Sequence, residues 1–307
     1  MKSLLRYKIS TLLNIIGLGI ALATAYVIGV QIYYTGQRKK IYKGLNLEIG
    51  EGSIYGLLGK NGSGKSTLLY LISGLLRPDA GSITIDGIEA RKRKAEMLSE
   101  MFIVAEEFRL PEVSLDNYVK ITHGFYPRFS KEILNKCLED FELPLSLKLN
   151  ELSMGQKKKV YMSIALAANT KYLLMDEPTN GLDIPSKSQF RKVIAKNMAE
   201  DRALIISTHQ VHDVESLLDH ILMMDNGRVA YNRSVADICN EYSFEYRQPY
   251  EGMDGVIYAE PTLQGNAVIA RRSGESAETQ INLELLFNAV NAGKMKSEDC
   301  EADELAN

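Results

Sequence analysis

The run Gly59-Lys60-Asn61-Gly62-Ser63-Gly64-Lys65-Ser66 constrains this chain more than any other feature, because it has the spacing G-x-x-x-x-G-K-[ST] without a mismatch. Glycines let the backbone turn tightly, so that successive N–H groups point inward at an anion. The apolar residues 53–58 ahead of the run predict a buried strand, and residues 66–73 after it have helical spacing. A strand, a glycine-rich loop and a helix in this order predict a phosphate site at a helix N-terminus, whereas a turn that binds nothing is the disfavoured alternative.

Composition is that of a globular protein with ample length for a core. The 307 residues are 45% hydrophobic and 24% charged, which allows one large domain or two smaller ones. The formal net charge of −3 provides no overall basic field, so nucleic acid is not an expected partner. Cys137, Cys239 and Cys300 are far apart in sequence, which indicates reduced thiols rather than a zinc site or a disulfide framework.

The first forty residues differ in kind from the rest. Residues 9–37 contain no charged side chain, and residues 12–32 are apolar enough and long enough to cross a bilayer as a helix. Lysine and arginine flank the segment at both ends, so its orientation is not indicated. We expect a membrane helix. A signal peptide for the whole segment and a buried strand for residues 26–34 are the alternatives.

The remaining sequence alternates short apolar runs with helical patterns. Strands are predicted at residues 41–49, 171–175, 203–207 and from 221 onward, with a helix over 186–200. Residues 107–165 are predicted to be mainly helical, in pieces separated by Pro111, Pro127 and Pro144. Such alternation is typical of an α/β domain with a mostly parallel sheet. From residue 242 the chain is more polar, and the acidic residues 297–307 are expected to be disordered.

Four further motifs follow the glycine-rich run in a fixed order. Leu152-Ser-Met-Gly-Gln156 is a polar turn ahead of a helix, and an apolar strand leads into the acidic pair Asp176-Glu177. Thr179-Asn-Gly-Leu-Asp183 comes next, and His209 follows the apolar strand at 203–207. An acid at a strand end can hold Mg²⁺ through water, and a neighbouring glutamate can accept a proton from an attacking water. Taken singly, an acidic strand end is often just solvated and a lone histidine is often structural.

Together these motifs, over residues 33 to 235, resemble the ATP-binding cassette (ABC) ATPases. The resemblance implies an α/β P-loop NTPase core with a mostly parallel sheet, a small antiparallel β subdomain and a helical subdomain at about 107–165. It implies Glu177 as general base, His209 at the γ-phosphate and Lys65 on the phosphates. It implies Ser66, Asp176 and Glu106 as Mg²⁺ ligands. The implied ATP-binding residues are Gly59, Asn61, Gly62, Ser63, Gly64, Lys65, Ser66, Thr67, Tyr34 (stacked on adenine), Ser153, Gly155, Gln156 and Asp183.

In this family two cassettes meet head to tail, so Ser153 and Gly155 of one copy would complete the site of the other. Two positions depart from the family pattern: Met154 replaces a glycine in the LSGGQ-type turn, and Glu106 replaces a glutamine. The carboxylate of Glu106 adds a negative charge and removes an amide donor. The run Lys157-Lys-Lys159 is interpreted as a solvated helix face. A nucleic-acid contact is the disfavoured alternative, because no aromatic residue interleaves with the run.

Residues 125–127, 141–144 and 152–159 are similar to the ATPase subunits of bacterial ABC-2-type exporters. Residues 257–261 and 283–287 are similar to the small appendage that some of these carry. Residues 12–23 resemble instead the first membrane helix of MacB/FtsX-like permeases. Our hypothesis is that residues 1 to about 30 are joined onto the ATPase by a fusion, a recombination or an assembly error. We therefore predict a hydrophobic segment at 1–32, an ATPase domain at 33–240, an appendage at 241–296 and an acidic tail at 297–307.

The resemblance implies an enzyme that hydrolyses ATP with Mg²⁺ and drives a separate membrane permease together with a second copy of itself or a paralogous subunit. Its place would be the cytoplasmic face of the membrane, peripheral unless residues 12–32 insert. A non-transport ABC-class ATPase and a weakly catalytic, ATP-regulated module are the alternatives. One candidate membrane helix cannot form a translocation path, so the permease must be another chain.

Overall fold

A computed structural model describes residues 41–42, 44–248, 250–272 and 279–296 of the chain. The candidate membrane segment at 12–32, Tyr34 and the acidic tail at 297–307 lie outside these ranges. Within them, no helix combines the length and the apolar character needed to cross a bilayer. The described residues from Tyr42 onward form one compact unit, and the predicted boundaries at 33 and 241 stay predictions.

A six-stranded sheet runs through the centre of the fold. Its strand order is β4-β5-β6-β1-β7-β8, and all pairs are parallel except β7 with β8, which confirms the mostly parallel sheet. The strands are β1 (Ile54–Leu58), β4 (Met101–Val104), β5 (Tyr172–Asp176), β6 (Ala203–Thr208), β7 (His220–Asp225) and β8 (Arg228–Ser234). A short antiparallel pair, β2 (Thr84–Ile85) with β3 (Ile88–Glu89), lies outside this sheet.

Helices cover both faces of the sheet, as the nearly unbroken apolar strands require. They are α1 (Lys65–Ile72), α2 (Ala95–Ser99), α3 (Leu115–His123), α4 (Lys131–Asp140), α5 (Met154–Ala167), α6 (Ile184–Lys196) and α7 (Val235–Glu241). Short 3₁₀ turns occur at Ala90–Lys92, Leu149–Glu151, Val211–Asp213 and Glu215–Leu217. Side chains of β1 enter both core clusters: Leu58 packs in the larger one and Leu57 in the smaller.

The last described part of the chain is a small antiparallel sheet with one helix. Its strands are β9 (Tyr242–Arg247), β10 (Val256–Thr262) and β11 (Gly265–Arg271), in the order β10-β11-β9, and the helix is α8 (Leu283–Asn291). Leu286 and Ile269 from this part join the larger core cluster together with residues of β5 and β6. The residues predicted as an appendage therefore share a hydrophobic core with the central sheet.

The predicted strand at residues 41–49 is wrong, although its burial pattern is right. Leu45, Leu47 and Ile49 are half-buried against the smaller core cluster while their polar neighbours are exposed. None of the described strands pairs with this segment. Alternating hydrophobicity reports only which side of an extended segment is buried, whereas a strand also needs a hydrogen-bonded neighbour.

The topology brings the ends of three central strands to one edge of the sheet. In the parallel register Leu58 pairs with Thr208, and Asp176 pairs with Ser207. The glycine-rich run, the acidic pair and the segment with His209 all leave the sheet at this edge. Ligands of open parallel sheets bind beyond the carboxyl ends of the strands, so this edge is the candidate site.

Candidate nucleotide-binding site

The glycine-rich run, called the P-loop below, connects β1 to α1. Gly59, Gly62 and Gly64 have φ angles of 156°, 80° and 111°, which L side chains rarely adopt. A Cβ atom at Gly59 would lie 2.6 Å from the Met224 carbonyl oxygen, so only glycine fits there. The buried hydroxyl of Ser63 has no hydrogen-bond partner among the described residues. An unpaired donor beside open backbone at the start of a helix fits a phosphate oxygen.

Lys65 begins α1 and is only 6% exposed. Its Nζ donates to the carbonyl oxygens of Gly59 at 2.8 Å and Lys60 at 3.3 Å, and lies 3.8 Å from Oε1 of Glu177. Burial lowers the pKa of Lys65, and the nearby carboxylates, that of Glu177 foremost, oppose this shift. The ammonium group is thus held by backbone carbonyl oxygens of the P-loop itself.

Asp176 is the last residue of β5 and is 1% exposed. The Ser207 hydroxyl of the neighbouring strand β6 donates to its Oδ1. Burial raises the pKa of the Asp176 carboxyl, while hydrogen bonds from Ser207 and Ser66 oppose the rise. The hydroxyl of Ser66 and this carboxylate, predicted as metal ligands, therefore lie together.

Glu177 follows Asp176 in the left-handed region, with φ of 45°, and is 5% exposed. Its backbone N–H donates to the Ser207 carbonyl oxygen at 3.0 Å. Its Oε2 accepts a hydrogen bond from the Thr208 hydroxyl at 3.1 Å, and its Oε1 lies 2.9 Å from Nδ1 of His209. The carboxylate is thus held between Lys65 and His209 by residues that β5 and β6 bring side by side.

Glu106 approaches the same group from the segment after β4. Its Oε1 accepts a hydrogen bond at 2.9 Å from the side-chain amide of Asn180. Its charge, with those of Asp176 and Glu177, acts on both Lys65 and Lys158. The charges of three carboxylates therefore act on two buried ammonium groups at this edge of the sheet.

The turn Leu152–Gln156, called the signature turn below, differs from the P-loop group in burial, because most of its side chains are exposed. Ser153 caps α5: its hydroxyl accepts the Gln156 backbone N–H at 3.3 Å, and the Gln156 side chain accepts the Ser153 N–H at 3.0 Å. Ser153 and Gln156 are exposed, and Met154 is 63% exposed. A Cβ atom at Gly155 would meet nothing within 4 Å. This turn is open to solvent.

Asp183 is likewise exposed and caps α6, accepting the Ser186 N–H at 2.9 Å. Hydrogen bonds from Ser186 lower the pKa of its carboxyl. Of the remaining predicted residues, Asn61 is exposed, Thr67 is half-buried in α1, and Tyr34 lies outside the described ranges. The structure thus groups Lys65, Ser66, Asp176, Glu177, Glu106 and His209, and leaves Ser153, Gly155, Gln156 and Asp183 on the surface.

Lys158 is the residue that sequence reasoning missed. The run 157–159 was interpreted as a solvated face, but Lys158 is only 6% exposed, so this interpretation is wrong for it. Its Nζ donates to the carbonyl oxygens of Glu177 at 2.7 Å and Asn180 at 2.9 Å. The helical spacing of Lys158 with the buried Met162 and Ala165 was the available signal, because residues at i, i+4 and i+7 share one face.

Known proteins are similar to this chain in sequence. The ABC transporter family model matches residues 42–180. The energy-coupling factor transporter ATP-binding protein EcfA2 of Clostridium tetani is 32% identical over 69% of this chain and 78% of the relative. The ABC transporter ATP-binding protein YtrB of Bacillus subtilis is 29% identical over 66% of this chain and 70% of the relative.

Among solved structures, the dimeric ATP-binding cassette MJ0796, bound to ADP and Pi in a post-hydrolysis state, superposes with a TM-score of 0.55. It is 28% identical, and the match covers 63% of this chain and 90% of that one. ABC ATPases bind ATP, form dimers and work with membrane permease subunits. The chain belongs to the ATP-binding subunits of ABC transporters.

Proposed function

We propose that this chain hydrolyses ATP with Mg²⁺ as the motor subunit of an ABC exporter, and that it drives a separate permease at the cytoplasmic face of the membrane. The observation that carries the proposal is the grouping of Lys65, Asp176, Glu177 and His209 at one sheet edge. The same chain exposes the signature turn, in which Ser153 caps a helix. Two such chains would form two composite sites in a dimer, each made from the P-loop of one copy and the signature turn of the other. One copy alone would have no complete site.

The chemistry assigned to this chain is phosphoryl transfer to water, in which positioning and charge stabilisation do most of the work. Lys65 would leave the Gly59 and Lys60 carbonyl oxygens for the β- and γ-phosphates. Glu177 would take the proton of the attacking water, while His209, at 2.9 Å from its carboxylate, orients that group beside the γ-phosphate. The P-loop N–H groups and the unpaired Ser63 hydroxyl would hold the phosphate oxygens.

The residues present fit a magnesium ion. Ser66, Asp176 and Glu106 supply only oxygen donors, which Mg²⁺ prefers. Among the described residues, no group of three or more His, Cys, Asp or Glu side chains could hold a metal by itself. That fits an ion held by one or two carboxylates together with substrate phosphates. Bound there, Mg²⁺ would neutralise the charge that develops on the transferred phosphoryl group.

Mixing two inactive variants tests the composite site. Lys65→Ala disables the P-loop, and Gly155→Asp places a negative charge on the signature turn in space that is empty in one chain. Each variant alone should be inactive. Their equimolar mixture should recover about a quarter of the wild-type rate, because half of the dimers have one intact site of two.

ATP hydrolysis by each purified chain and by the mixture is the measurement. A mixture as inactive as its components would contradict the composite site. Wild-type protein that binds ATP but does not turn it over would favour the weakly catalytic module instead. Export itself is tested by reconstituting the chain with its permease in vesicles and following the direction of ATP-dependent transport.

A further inference from the structure

Lys158 is a buried charge that the chemistry above does not use. It lies in the second turn of α5 and makes no ion pair within 4 Å among the described residues. It donates instead to two backbone carbonyl oxygens, those of Glu177 and Asn180. Burial lowers the pKa of this ammonium group, and the charges of Glu106, Glu177 and Asp176 counteract the shift. Burying an ammonium group is costly, so its contacts must offset a substantial penalty.

The two carbonyl groups mark the ends of one tight turn. The Asn180 N–H donates to the Glu177 carbonyl oxygen at 3.2 Å. That oxygen therefore accepts two hydrogen bonds, one from the Asn180 N–H and one from Lys158 Nζ. Glu177 has a left-handed φ of 45°, a conformation that costs a non-glycine residue free energy and persists only when its surroundings hold it. Lys158 is the charged group that holds both ends of this turn.

The same turn also positions Glu106. The side-chain amide of Asn180 donates to Glu106 Oε1 at 2.9 Å, while its backbone carbonyl accepts from Lys158. Asn180 thus connects the ammonium group of Lys158 to the carboxylate of Glu106, the residue that replaces the glutamine of the family pattern. Lys158 supplies positive charge close to the extra negative charge of Glu106.

The position of Lys158 on α5 connects this turn to the exposed half of the machinery. Ser153 caps the same helix five residues earlier, about 7.5 Å along its axis at 1.5 Å per residue. A helix is rigid over this distance. A displacement of the signature turn along this helix would therefore also move Lys158, whose Nζ donates to the Glu177 carbonyl oxygen of the same chain.

We propose that Lys158 is a positioning residue for hydrolysis, which holds the Glu177–Asn180 turn of its own site against the helix that carries the signature turn. The inference rests on the proposed function. It assigns no contact between Lys158 and the nucleotide, so Lys158 should affect turnover much more than ATP binding.

Three variants of the full chain test this inference. Lys158→Met keeps the length of the side chain and removes its donors, whereas Lys158→Gln retains an N–H donor. Lys136→Met is the matched control, because Lys136 is exposed on α4 and its ion pair within the described part of the chain is with the neighbouring Glu132. We expect Lys158→Met to lower kcat about tenfold or more and to change KM for MgATP less than threefold. Lys158→Gln should recover part of the loss, and Lys136→Met should match the wild type.

A double variant separates positioning of Glu177 from general structural support. In the Glu177→Gln background, measured under single-turnover conditions, Lys158→Met should cause little further loss, because the group through which it acts is gone. An equal loss in both backgrounds, or a rise in KM with unchanged kcat, would overturn the inference.

Thermal unfolding of each variant identifies one that does not fold. In that event Lys158→Gln alone decides: wild-type kcat in a folded Lys158→Gln overturns the inference, and a reduced kcat with unchanged KM supports it. A wild-type chain without Glu177-dependent hydrolysis refutes the proposed function and the inference together. An active wild type with unaltered Lys158→Met refutes the inference alone.

Discussion

The P-loop side of the site and the signature turn are opposites in burial. Lys65, Asp176 and Glu177 are at most 6% exposed. Lys65 donates to the Gly59 carbonyl oxygen, and hydroxyls of the neighbouring strand β6 donate to the carboxylates of Asp176 and Glu177. Ser153 and Gln156 are exposed, and the side chain of each accepts the backbone N–H of the other. A side chain buried at a strand edge needs its own fold to hold it, whereas an exposed cap is free to contact another molecule. The chain therefore holds the P-loop side of the site within its own fold and leaves the signature turn open to a contact with another molecule.

The largest expected effect falls on the buried side. Glu177→Gln removes the proposed base but keeps the size and the hydrogen-bonding shape of the side chain. We expect hydrolysis to fall by about 10²- to 10⁴-fold, the usual contribution of a general base. ATP binding should survive, since the P-loop is untouched. Phosphate release and equilibrium binding of a fluorescent ATP analogue measure the two quantities, and near-normal hydrolysis would refute the role of Glu177.

The buried side was also the part that sequence motifs predicted best. The P-loop, the acidic pair and His209 each follow an apolar strand, and parallel strands end at one edge, so their meeting there was foreseeable. The hydroxyls of Ser207 and Thr208, which hold the two carboxylates, were not foreseen. They come from a strand thirty-one residues away in sequence, and only the register of β5 with β6 reveals the pairing.

Two wrong predictions have physical causes in tertiary context. The alternation at residues 41–49 correctly showed which side chains are half-buried, but pairing between strands is not encoded in a single segment. Lys158 was grouped with its charged neighbours, although its place on the helix puts it beneath the Glu177–Asn180 turn. A buried lysine cannot be distinguished by composition from a solvated one, because the carbonyl groups that accept its protons are distant in sequence.

The second prediction concerns binding rather than turnover. Lys65→Ala removes the ammonium group that carbonyl oxygens hold at the mouth of the P-loop. We expect ATP affinity to fall about 10- to 100-fold, the value of a hydrogen bond to a charged group. Titration with the fluorescent analogue measures the loss. Lys60→Ala, at an exposed neighbouring position, is the control and should bind nearly as the wild type does. Equal affinities of Lys65→Ala and the wild type would contradict the role of Lys65.

The third prediction concerns Glu106, which is exposed but accepts a hydrogen bond from Asn180 beside the buried carboxylates. Glu106→Gln restores the family residue and removes one carboxylate oxygen charge from the proposed Mg²⁺ ligands. Because Mg²⁺ prefers charged oxygen ligands, the Mg²⁺ concentration for half-maximal hydrolysis should rise about threefold. The adjacent Glu107→Gln changes the same charge at an exposed position and should leave it unaltered. A shift of the same size in both variants would assign the effect to general electrostatics.

The smallest expected effect concerns the free energy of unfolding. The pKa shifts of the buried Asp176 and the exposed Asp183 have opposite signs, so the two carboxylates affect stability in opposite directions. Because burial raises the pKa of Asp176, ionising it weakens the nucleotide-free fold as the pH rises from the ordinary value of 3.8 through the raised one. Asp176→Asn should therefore increase the free energy of unfolding at pH 7, by on the order of 1 kcal/mol, with the gain vanishing below pH 4.

Asp183→Asn is the matched change on the exposed side, where Ser186 lowers the pKa of the carboxyl and the ionised form is the favoured one. The stability that Asp183 contributes is present above the ordinary pKa and is lost as the pH falls through the lowered one, so its replacement should bring no gain at pH 7. Urea unfolding of both variants and the wild type between pH 3 and 8, without nucleotide, measures the difference. A gain from Asp183→Asn would contradict the stabilising role of the ionised cap. A loss from Asp176→Asn would show that the buried carboxylate is held at no cost to the fold, and that the site does not need a cation to relieve it.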